Sequence, residues 1–226
     1  MLILSRRSKT IKMGQLKVYN PYTKEAIGSI NQMGEEELEK IVSQAKEAFQ
    51  ATRILSTLER KKALAAIIEG MYDRQEEIIT AMIAESAKPR RYAEGEFQRA
   101  IATLEMASQT MIEGFDELIR LDRTSAGKGL MGQVVYEPVG VVLGISPFNF
   151  PLNLAVHKIA PAIATGCSII LKPSSKTPFT MIIFNEIVAA SGYPKNGFQL
   201  VHSNRTNGNY LISHPDIQLL SFTGSP

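Results

Sequence analysis

The chain has 226 residues, of which 44% are hydrophobic and 21% are charged, proportions that are ordinary for a soluble globular protein of one large domain or two small ones. Cys167 is its only cysteine, which excludes an intramolecular disulfide and a CxxC metal site and suits a reducing compartment, so we expect a cytoplasmic protein with no metal. The 25 Lys and Arg residues barely exceed the 22 Asp and Glu residues, a balance that does not indicate a nucleic-acid-binding protein.

Residues 1–16 form a basic leader ahead of the first predicted element. Its charge comes from four residues, Arg6, Arg7, Lys9 and Lys12. Without these four, 21 basic residues remain against 22 acidic ones, which gives a net charge of −1, so no domain face is expected to be strongly basic. Apolar residues come before the charges, which is the reverse of a secretory signal. A disordered leader, a translation start at Met13 and a weak organelle-targeting signal are the open alternatives.

Helical periodicity runs from Gly34 to about Phe115, within a helical part that we assign to residues 17–120. Its apolar residues recur at i, i+3, i+4 and i+7, as on the buried face of an amphipathic helix. Ser56 and Glu59 match a capping box, in which each side chain bonds a free backbone N–H group at a helix start. Pro89 marks a point where a further helix could begin. The apolar positions predicted to form core are Leu38, Ile41, Val42, Ala45, Ala48, Phe49, Leu64, Ile67, Ile68, Met71, Phe97, Ile101, Leu104 and Met111.

The next segment, residues 121–138, differs from both of its neighbours. Leu121–Tyr136 is rich in glycine and then alternates between apolar and polar residues. This pattern predicts an extended ribbon.

From residue 139 to 226 the period changes to that of short buried strands alternating with helices. The predicted strands are Val139–Ile145, Ser168–Leu171, Phe198–Val201 and Ile217–Phe222, and the predicted helices are Leu152–Thr165, Pro178–Ala190 and Thr206–Ser213. Such alternation implies right-handed crossovers and a parallel sheet covered on both faces, so the fold class is α/β. The uncharged stretch 138–156 is long enough to suggest a membrane span, but three prolines and two glycines favour a strand, a turn and a helix.

Three loops follow strands of the predicted sheet, Ser146–Asn153, Lys172–Pro178 and Thr223–Pro226. In an open parallel sheet, ligands bind beyond the carboxyl ends of the strands. The first loop is unusual in placing Pro147, Asn149 and Pro151 directly after the most strand-like segment. We therefore expect a ligand site, which we call the rim, where these loops meet.

The rim sequences resemble those of the NAD(P)-dependent aldehyde dehydrogenase superfamily. The motifs are Pro-Phe-Asn-Phe-Pro at 147–151, Leu-Lys-Pro-Ser-Ser-Lys-Thr-Pro at 171–178 and Ser-Phe-Thr-Gly-Ser at 221–225, and the resemblance extends back to Val-Tyr-Asn-Pro at 18–21. Phe148 stands where many members carry tryptophan, which is most like the branch of lactaldehyde, phosphonoacetaldehyde and non-phosphorylating glyceraldehyde-3-phosphate dehydrogenases. The resemblance implies a helical N-terminal layer followed by a doubly wound, Rossmann-like parallel sheet of the aldehyde dehydrogenase type, here incomplete, and an oligomerisation arm at 121–138.

The resemblance also implies roles for individual rim residues. Asn149 matches the asparagine that donates its amide N–H to the oxyanion formed on the aldehyde, an interaction that can contribute on the order of a hundredfold in rate. Lys172 matches a lysine that reaches the adenosine ribose of NAD or NADP, and Ser175 stands where many NAD-preferring members carry glutamate. Gly224 and Ser225 match the start of the pyrophosphate loop. The residues that would line the cofactor cleft are Ile145, Ser146 and Pro147.

Simpler roles are open for three of these residues. Asn149 could be a turn asparagine that bonds its own backbone. Lys172 could be an ordinary solvated lysine at a strand end, and the hydroxyl of Ser225 could serve as a helix N-cap.

Family members are considerably longer than this chain, and their nucleophilic cysteine and glutamate base lie downstream of the matched motifs. Cys167 sits at the entry to a predicted strand, on the end opposite the rim, and is expected to be a buried structural residue. The leading hypothesis is that this chain is the cofactor-binding half of an enzyme that oxidises a small aldehyde, such as lactaldehyde or glyceraldehyde 3-phosphate. This half alone is expected to be inactive. The alternatives are a non-catalytic nucleotide-binding or assembly module and one half of a split enzyme. We expect a homo-oligomer for the intact protein, with no nucleic-acid or membrane partner.

Overall fold

The computed structural model describes residues 14–113 and 117–224, and it begins with an antiparallel hairpin of β1 (Gln15–Tyr19) and β2 (Ala26–Asn31). The turn between them is closed by Asn20, whose side-chain oxygen accepts hydrogen bonds from the backbone N–H groups of Tyr22 at 2.9 Å and Thr23 at 3.0 Å. These two strands were not predicted from the sequence. Only Val18 and Ile30 of this hairpin are buried, so its apolar alternation is weak.

Four helices follow and confirm the predicted helical layer. They are α1 (Glu35–Thr52), α2 (Thr57–Asp73), α3 (Gln75–Ser86) and α4 (Arg90–Glu113). The capping box forms at the start of α2, where the Ser56 N–H donates to the Glu59 carboxylate at 2.8 Å and the Glu59 N–H donates to the Ser56 hydroxyl at 3.3 Å. The helix expected after Pro89 begins at the next residue.

The ribbon lies earlier in the chain than its predicted bounds. Strand β3 (Glu117–Arg120) pairs antiparallel with β4 (Met131–Val134), so the first strand precedes Leu121. The glycine-rich stretch between them forms turns instead of extended ribbon. Gly129 has a φ of +80°, which L-residues rarely adopt, and a side chain at Gly127 would overlap the Leu121 carbonyl oxygen. The ribbon side chains Leu118 and Met131 are 69% and 75% exposed.

The four predicted strands of the second segment form one parallel sheet in the order β7-β6-β5-β8. They are β5 (Val141–Ile145), β6 (Ser168–Lys172), β7 (Phe198–Leu200) and β8 (Leu219–Phe222). The connecting helices are α5 (Asn153–Thr165), α6 (Phe179–Ala190) and α7 (Arg205–Ile212). The suspected membrane segment 138–156 thus folds as β5, a loop and the start of α5, as predicted. No helix in the described ranges is long and apolar enough to cross a membrane.

The sheet is covered on both faces, which confirms the doubly wound arrangement. Ile169 and Leu171 of β6 pack into a core with α2 to α6, whereas Ile170 between them packs with α1 and α7 on the other face. The layer α2–α4 therefore lies behind α5 and α6, and this packing brings α3 and α4 close to the loops that precede those two helices.

Candidate functional site

Backbone hydrogen bonds join the three rim loops at the carboxyl end of the sheet. The N–H of Ser146 donates to the carbonyl of Lys172 at 3.2 Å, and the N–H of Thr223 donates to the carbonyl of Ile145 at 3.1 Å. The pairing of β5 with its two neighbours therefore continues one residue beyond the strands. Of the residues predicted from sequence, this brings together Ile145, Ser146, Pro147 and Lys172, with Gly224 next to Thr223.

The loop after β5 presents Asn149 to solvent. Its carbonyl oxygen accepts a hydrogen bond from the ammonium group of Lys88 at 3.0 Å. Its side-chain amide has no hydrogen-bond partner within residues 14–113 and 117–224, so the backbone-bonded alternative is not formed in the described chain. The amide N–H groups are therefore available to an external acceptor.

Cations gather around the two aromatic neighbours of Asn149. The ammonium of Lys88 lies 5.2 Å and the guanidinium of Arg99 lies 4.9 Å from the ring centre of Phe150. The ammonium of Lys176 lies 4.6 Å from the ring centre of Phe148. Cations at these distances are attracted by the ring faces, so cationic side chains from elsewhere in the chain lie against a loop that has no charged residue of its own.

Lys172 is half-buried, which disagrees with the alternative that it is an ordinary solvated lysine at a strand end. Its stem packs against α7, where a Cβ atom added at Gly208 would lie 3.1 Å from the Lys172 Cε. Burial lowers the pKa of its ammonium group. Neither this ammonium nor the half-buried hydroxyl of Ser175 has a hydrogen-bond partner in the part of the chain that the structure describes.

The last rim loop is described only as far as Gly224. A Cβ atom there would lie 2.7 Å from the ring of Phe222, which explains why a glycine is suited to the position. Ser225 lies outside the described residues, so its predicted contact with pyrophosphate, and its alternative role as an N-cap, stay predictions.

Lys158 is a rim residue that the sequence analysis did not single out. It lies on α5 and is only 4% exposed, and its ammonium donates to the hydroxyl of Thr223 at 2.7 Å and to the carbonyl of Leu154 at 3.2 Å. Burial lowers its pKa. The available signal was the single lysine within the apolar run 152–165. Gly144 of β5 makes room for it, because a Cβ atom there would lie 3.3 Å from the Lys158 Cδ.

Cys167 lies at the other end of the sheet, as expected. It precedes β6, is 3% exposed, and its sulfur accepts a hydrogen bond from the Thr165 hydroxyl at 3.4 Å. A buried thiol at the amino end of a strand cannot reach a substrate at the carboxyl end. No group of three or more His, Cys, Asp or Glu side chains that could hold a metal ion occurs within residues 14–113 and 117–224.

A groove of about 950 Å³ also lies away from the rim. Its lining includes Met106, Met111, Pro138, Pro161 and Thr165, which places it between α4 and the carboxyl end of α5. This groove and the chemically distinctive loops are therefore different places in this molecule.

A parallel sheet with glycine- and proline-bearing loops joined at its carboxyl end is the arrangement in which α/β proteins bind nucleotides. Within that class, the chain belongs to the aldehyde dehydrogenase family, whose sequence model matches residues 8–226.

Relatives and solved structures agree with this assignment over part of their length. A 3-sulfolactaldehyde dehydrogenase of Priestia megaterium is 32% identical over 213 residues, which are 94% of this chain and 44% of the relative. An aldehyde dehydrogenase from Physcomitrella patens, solved with the reaction product succinate, superposes with a TM-score of 0.90 at 35% identity over 93% of this chain and 44% of its own. The NADP-dependent glyceraldehyde-3-phosphate dehydrogenase from Bacillus halodurans, solved with NADP, has a TM-score of 0.87 at 31% identity, with 92% and 44% covered. The chain thus spans less than half the length of the relatives it matches.

Proposed function

We propose that this chain is the cofactor-binding part of an enzyme that oxidises a small aldehyde to the acid with NAD⁺ or NADP⁺. The observation that carries the proposal is the placement of Asn149, whose unpaired amide stands on a loop bonded to the two neighbouring rim loops. Relatives of the same family act on aldehydes by name, and one of the solved structures holds NADP.

The chemistry assigned to Asn149 is stabilisation of an oxyanion. When a thiolate adds to an aldehyde, the carbonyl oxygen becomes negatively charged, and a fixed amide N–H stabilises that charge more than it stabilises the neutral carbonyl. Bound NAD⁺ or NADP⁺ would supply the hydride acceptor that converts this adduct to a thioester, and water would then hydrolyse the thioester to the acid and release the thiol. Cys167 is buried at the amino end of the sheet, opposite the rim, so the thiolate must come from residues outside this chain, and residues 1–226 alone should not turn over an aldehyde.

The cofactor would lie across the rim with its adenosine end at Lys172 and Ser175. An ammonium group without a protein partner suits ribose oxygens or a 2′-phosphate, and the neutral Ser175 adds no charge that would repel a phosphate. Ile145, Ser146 and Pro147 would line the cleft, and Gly224 and Ser225 would approach the pyrophosphate. We therefore expect NADP⁺ to be accepted.

The substrate class follows from the charges beside Asn149. Arg99 faces Phe150 and Lys176 faces Phe148, whereas the charge of Lys88 is balanced by its ion pair with Glu96. An aldehyde that carries phosphate, sulfonate or carboxylate would therefore be attracted to this end of the rim by Arg99 and Lys176. This supports a small charged aldehyde, of which glyceraldehyde 3-phosphate is an example, over an apolar one.

The proposal includes a cytoplasmic homo-oligomer. The ribbon β3–β4 supports the oligomer, because a two-stranded ribbon with exposed Leu118 and Met131 is only marginally stable unless another surface covers it.

The test is a steady-state assay of reduced nicotinamide formation. Two proteins are compared: a full-length enzyme that contains this chain, and residues 1–226 alone. Each is assayed with NAD⁺ or NADP⁺ and with glyceraldehyde 3-phosphate, lactaldehyde, 3-sulfolactaldehyde or succinate semialdehyde. We expect turnover by the full-length enzyme and none by the shorter chain. Turnover by neither, with cofactor bound by the shorter chain, would favour the non-catalytic nucleotide-binding module. Turnover restored by adding a separately expressed second chain would favour the split enzyme.

A further inference from the structure

The two helices that follow the main rim loops do not cap themselves. The N-cap positions of α5 and α6 are Leu152 and Pro178, and neither supplies a side-chain hydrogen bond. The first N–H groups of a helix have no partner within the helix, so something else must accept them.

For α5 that acceptor is Glu96, which comes from α4. Its carboxylate is fully buried and accepts hydrogen bonds from the N–H groups of Leu152 at 2.8 Å and Asn153 at 3.1 Å. The same carboxylate forms an ion pair with the ammonium of Lys88, which also donates to the carbonyl of Asn149. Glu96 and Lys88 together therefore hold both ends of the segment 149–153.

For α6 the acceptor is Glu85, the penultimate residue of α3. It is 2% exposed and accepts hydrogen bonds from the N–H groups of Phe179 at 2.7 Å and Thr180 at 3.2 Å, and from the Thr180 hydroxyl. Burial raises the pKa of Glu85 to about 7, against the lowering effect of these hydrogen bonds and of Lys88. The three donors at the start of α6 satisfy the buried carboxylate of Glu85.

One short segment of the helical layer thus contacts the loop Ser146–Asn153 and the start of the helix that follows the loop Lys172–Pro178. Glu85 lies in the last turn of α3, Ala87 turns the chain with a φ of +54°, Lys88 follows, and Glu96 lies in the second turn of α4. Glu85 holds the helix behind Lys172–Pro178, and Glu96 with Lys88 holds the loop of Asn149.

We propose that Glu96 and Glu85 are positioning residues for two different functions of the rim, Glu96 for the oxyanion donor Asn149 and Glu85 for the cofactor loop that carries Lys172 and Ser175. This inference rests on the proposed function of the rim. It goes further in predicting that one buried segment controls chemistry and cofactor affinity through separate contacts.

The two roles make different kinetic predictions for isosteric variants of the full-length enzyme. Glu96→Gln should lower kcat by about tenfold or more with the KM for cofactor changed by less than about twofold, because misplacing a transition-state donor affects the chemical step. Glu85→Gln should raise the KM for cofactor by about tenfold with a much smaller change in kcat. Glu59→Gln is the matched control, since Glu59 also caps a helix but lies on α2 away from the rim, and it should change neither constant.

A second readout needs no activity. Amide hydrogen exchange in residues 1–226 should accelerate at 152–153 in Glu96→Gln and at 179–180 in Glu85→Gln, each without the other. If either variant unfolds, Glu96→Asp or Glu85→Asp replaces it, because aspartate keeps the charge but shortens the reach.

The outcomes separate this inference from the proposed function. Exchange that changes at both helices in both variants, or kcat and KM that move together in proportion to the loss of thermal stability, would mean that the glutamates are only structural and would overturn the inference. Selective exchange effects in a full-length protein with no aldehyde-oxidising activity would refute the proposed function and the kinetic roles, while the capping contacts would stand.

Discussion

The buried side chain of His202 should make folding sensitive to acid. His202 lies just beyond β7 and is 8% exposed, and neither ring nitrogen has a hydrogen-bond partner within the described ranges 14–113 and 117–224. Burial, helped by the positive charge of Lys172, lowers its pKa to about 4. The perturbation is His202→Leu, which removes the titrating group and keeps a buried side chain.

The sign and the size follow from the two pKa values. An unfolded chain binds this proton near its ordinary pKa of about 6.5, and the folded chain binds it only near 4, so the stabilisation is complete above about pH 6.5 and is lost as the pH falls through about 4. One pKa unit corresponds to about 1.4 kcal/mol. His202 should therefore cost the wild-type protein about 2 kcal/mol at pH 5 and about 3 kcal/mol at pH 4.

The assay is urea unfolding followed by circular dichroism, since the chain has no tryptophan. The free energy of unfolding of His202→Leu relative to wild type should rise by about 2 kcal/mol between about pH 8 and pH 5. The buried Glu85 titrates in both proteins with the opposite sign, because its pKa is raised, and its contribution cancels in the difference. His157→Gln, at an exposed position of α5, is the control for replacing a histidine as such.

The reasoning is wrong if the stability difference between His202→Leu and wild type is the same at both pH values. That result would mean that the imidazole gains a partner on protonation or that the folded protein opens around it.

Three further predictions concern the rim and the core. In the full-length enzyme, Asn149→Ala should lower kcat by on the order of a hundredfold with a smaller effect on the KM for cofactor, whereas the control Asn185→Ala on α6 should change neither constant. A near-normal kcat for Asn149→Ala, with a chemical step shown to be rate-limiting, would exclude the oxyanion role. Ser175→Glu should shift preference toward NAD⁺ by about one to two kcal/mol, measured as kcat/KM for both cofactors, and an unchanged ratio would place the selectivity elsewhere. Lys158→Met should raise the free energy of unfolding near neutral pH by about 1 kcal/mol or more, because it removes a costly buried charge. The control Lys61→Met, at an exposed position, should change the free energy of unfolding by less than about 0.5 kcal/mol. A loss of stability in Lys158→Met would show that the hydrogen bond from Lys158 to Thr223 outweighs the desolvation cost.

Much of the fold follows from the sequence alone, because periodicity and turn chemistry are local. The helical layer, the capping box at Ser56 and the four strands of the parallel sheet were all predictable from residues within a few positions of one another. The hairpin β1–β2 was missed because its strands are mostly exposed and carry little apolar alternation. The ribbon β3–β4 was placed too late because the two apolar residues of β3, Leu118 and Ile119, are adjacent and do not alternate with polar ones.

The candidate site was likewise predictable only in part. Its loops, and with them Asn149, Lys172 and Ser175, could be located from sequence because each follows a recognisable strand. What only the tertiary structure decided is which distant groups support them. Glu96 bonds residues 56 and 57 positions away, Glu85 bonds residues 94 and 95 positions away, and Lys158 bonds Thr223 65 positions away. Such partners are chosen by how α3, α4 and α5 pack against the sheet, and no local pattern encodes that packing, because a buried charge is recognisable only once its surroundings are known.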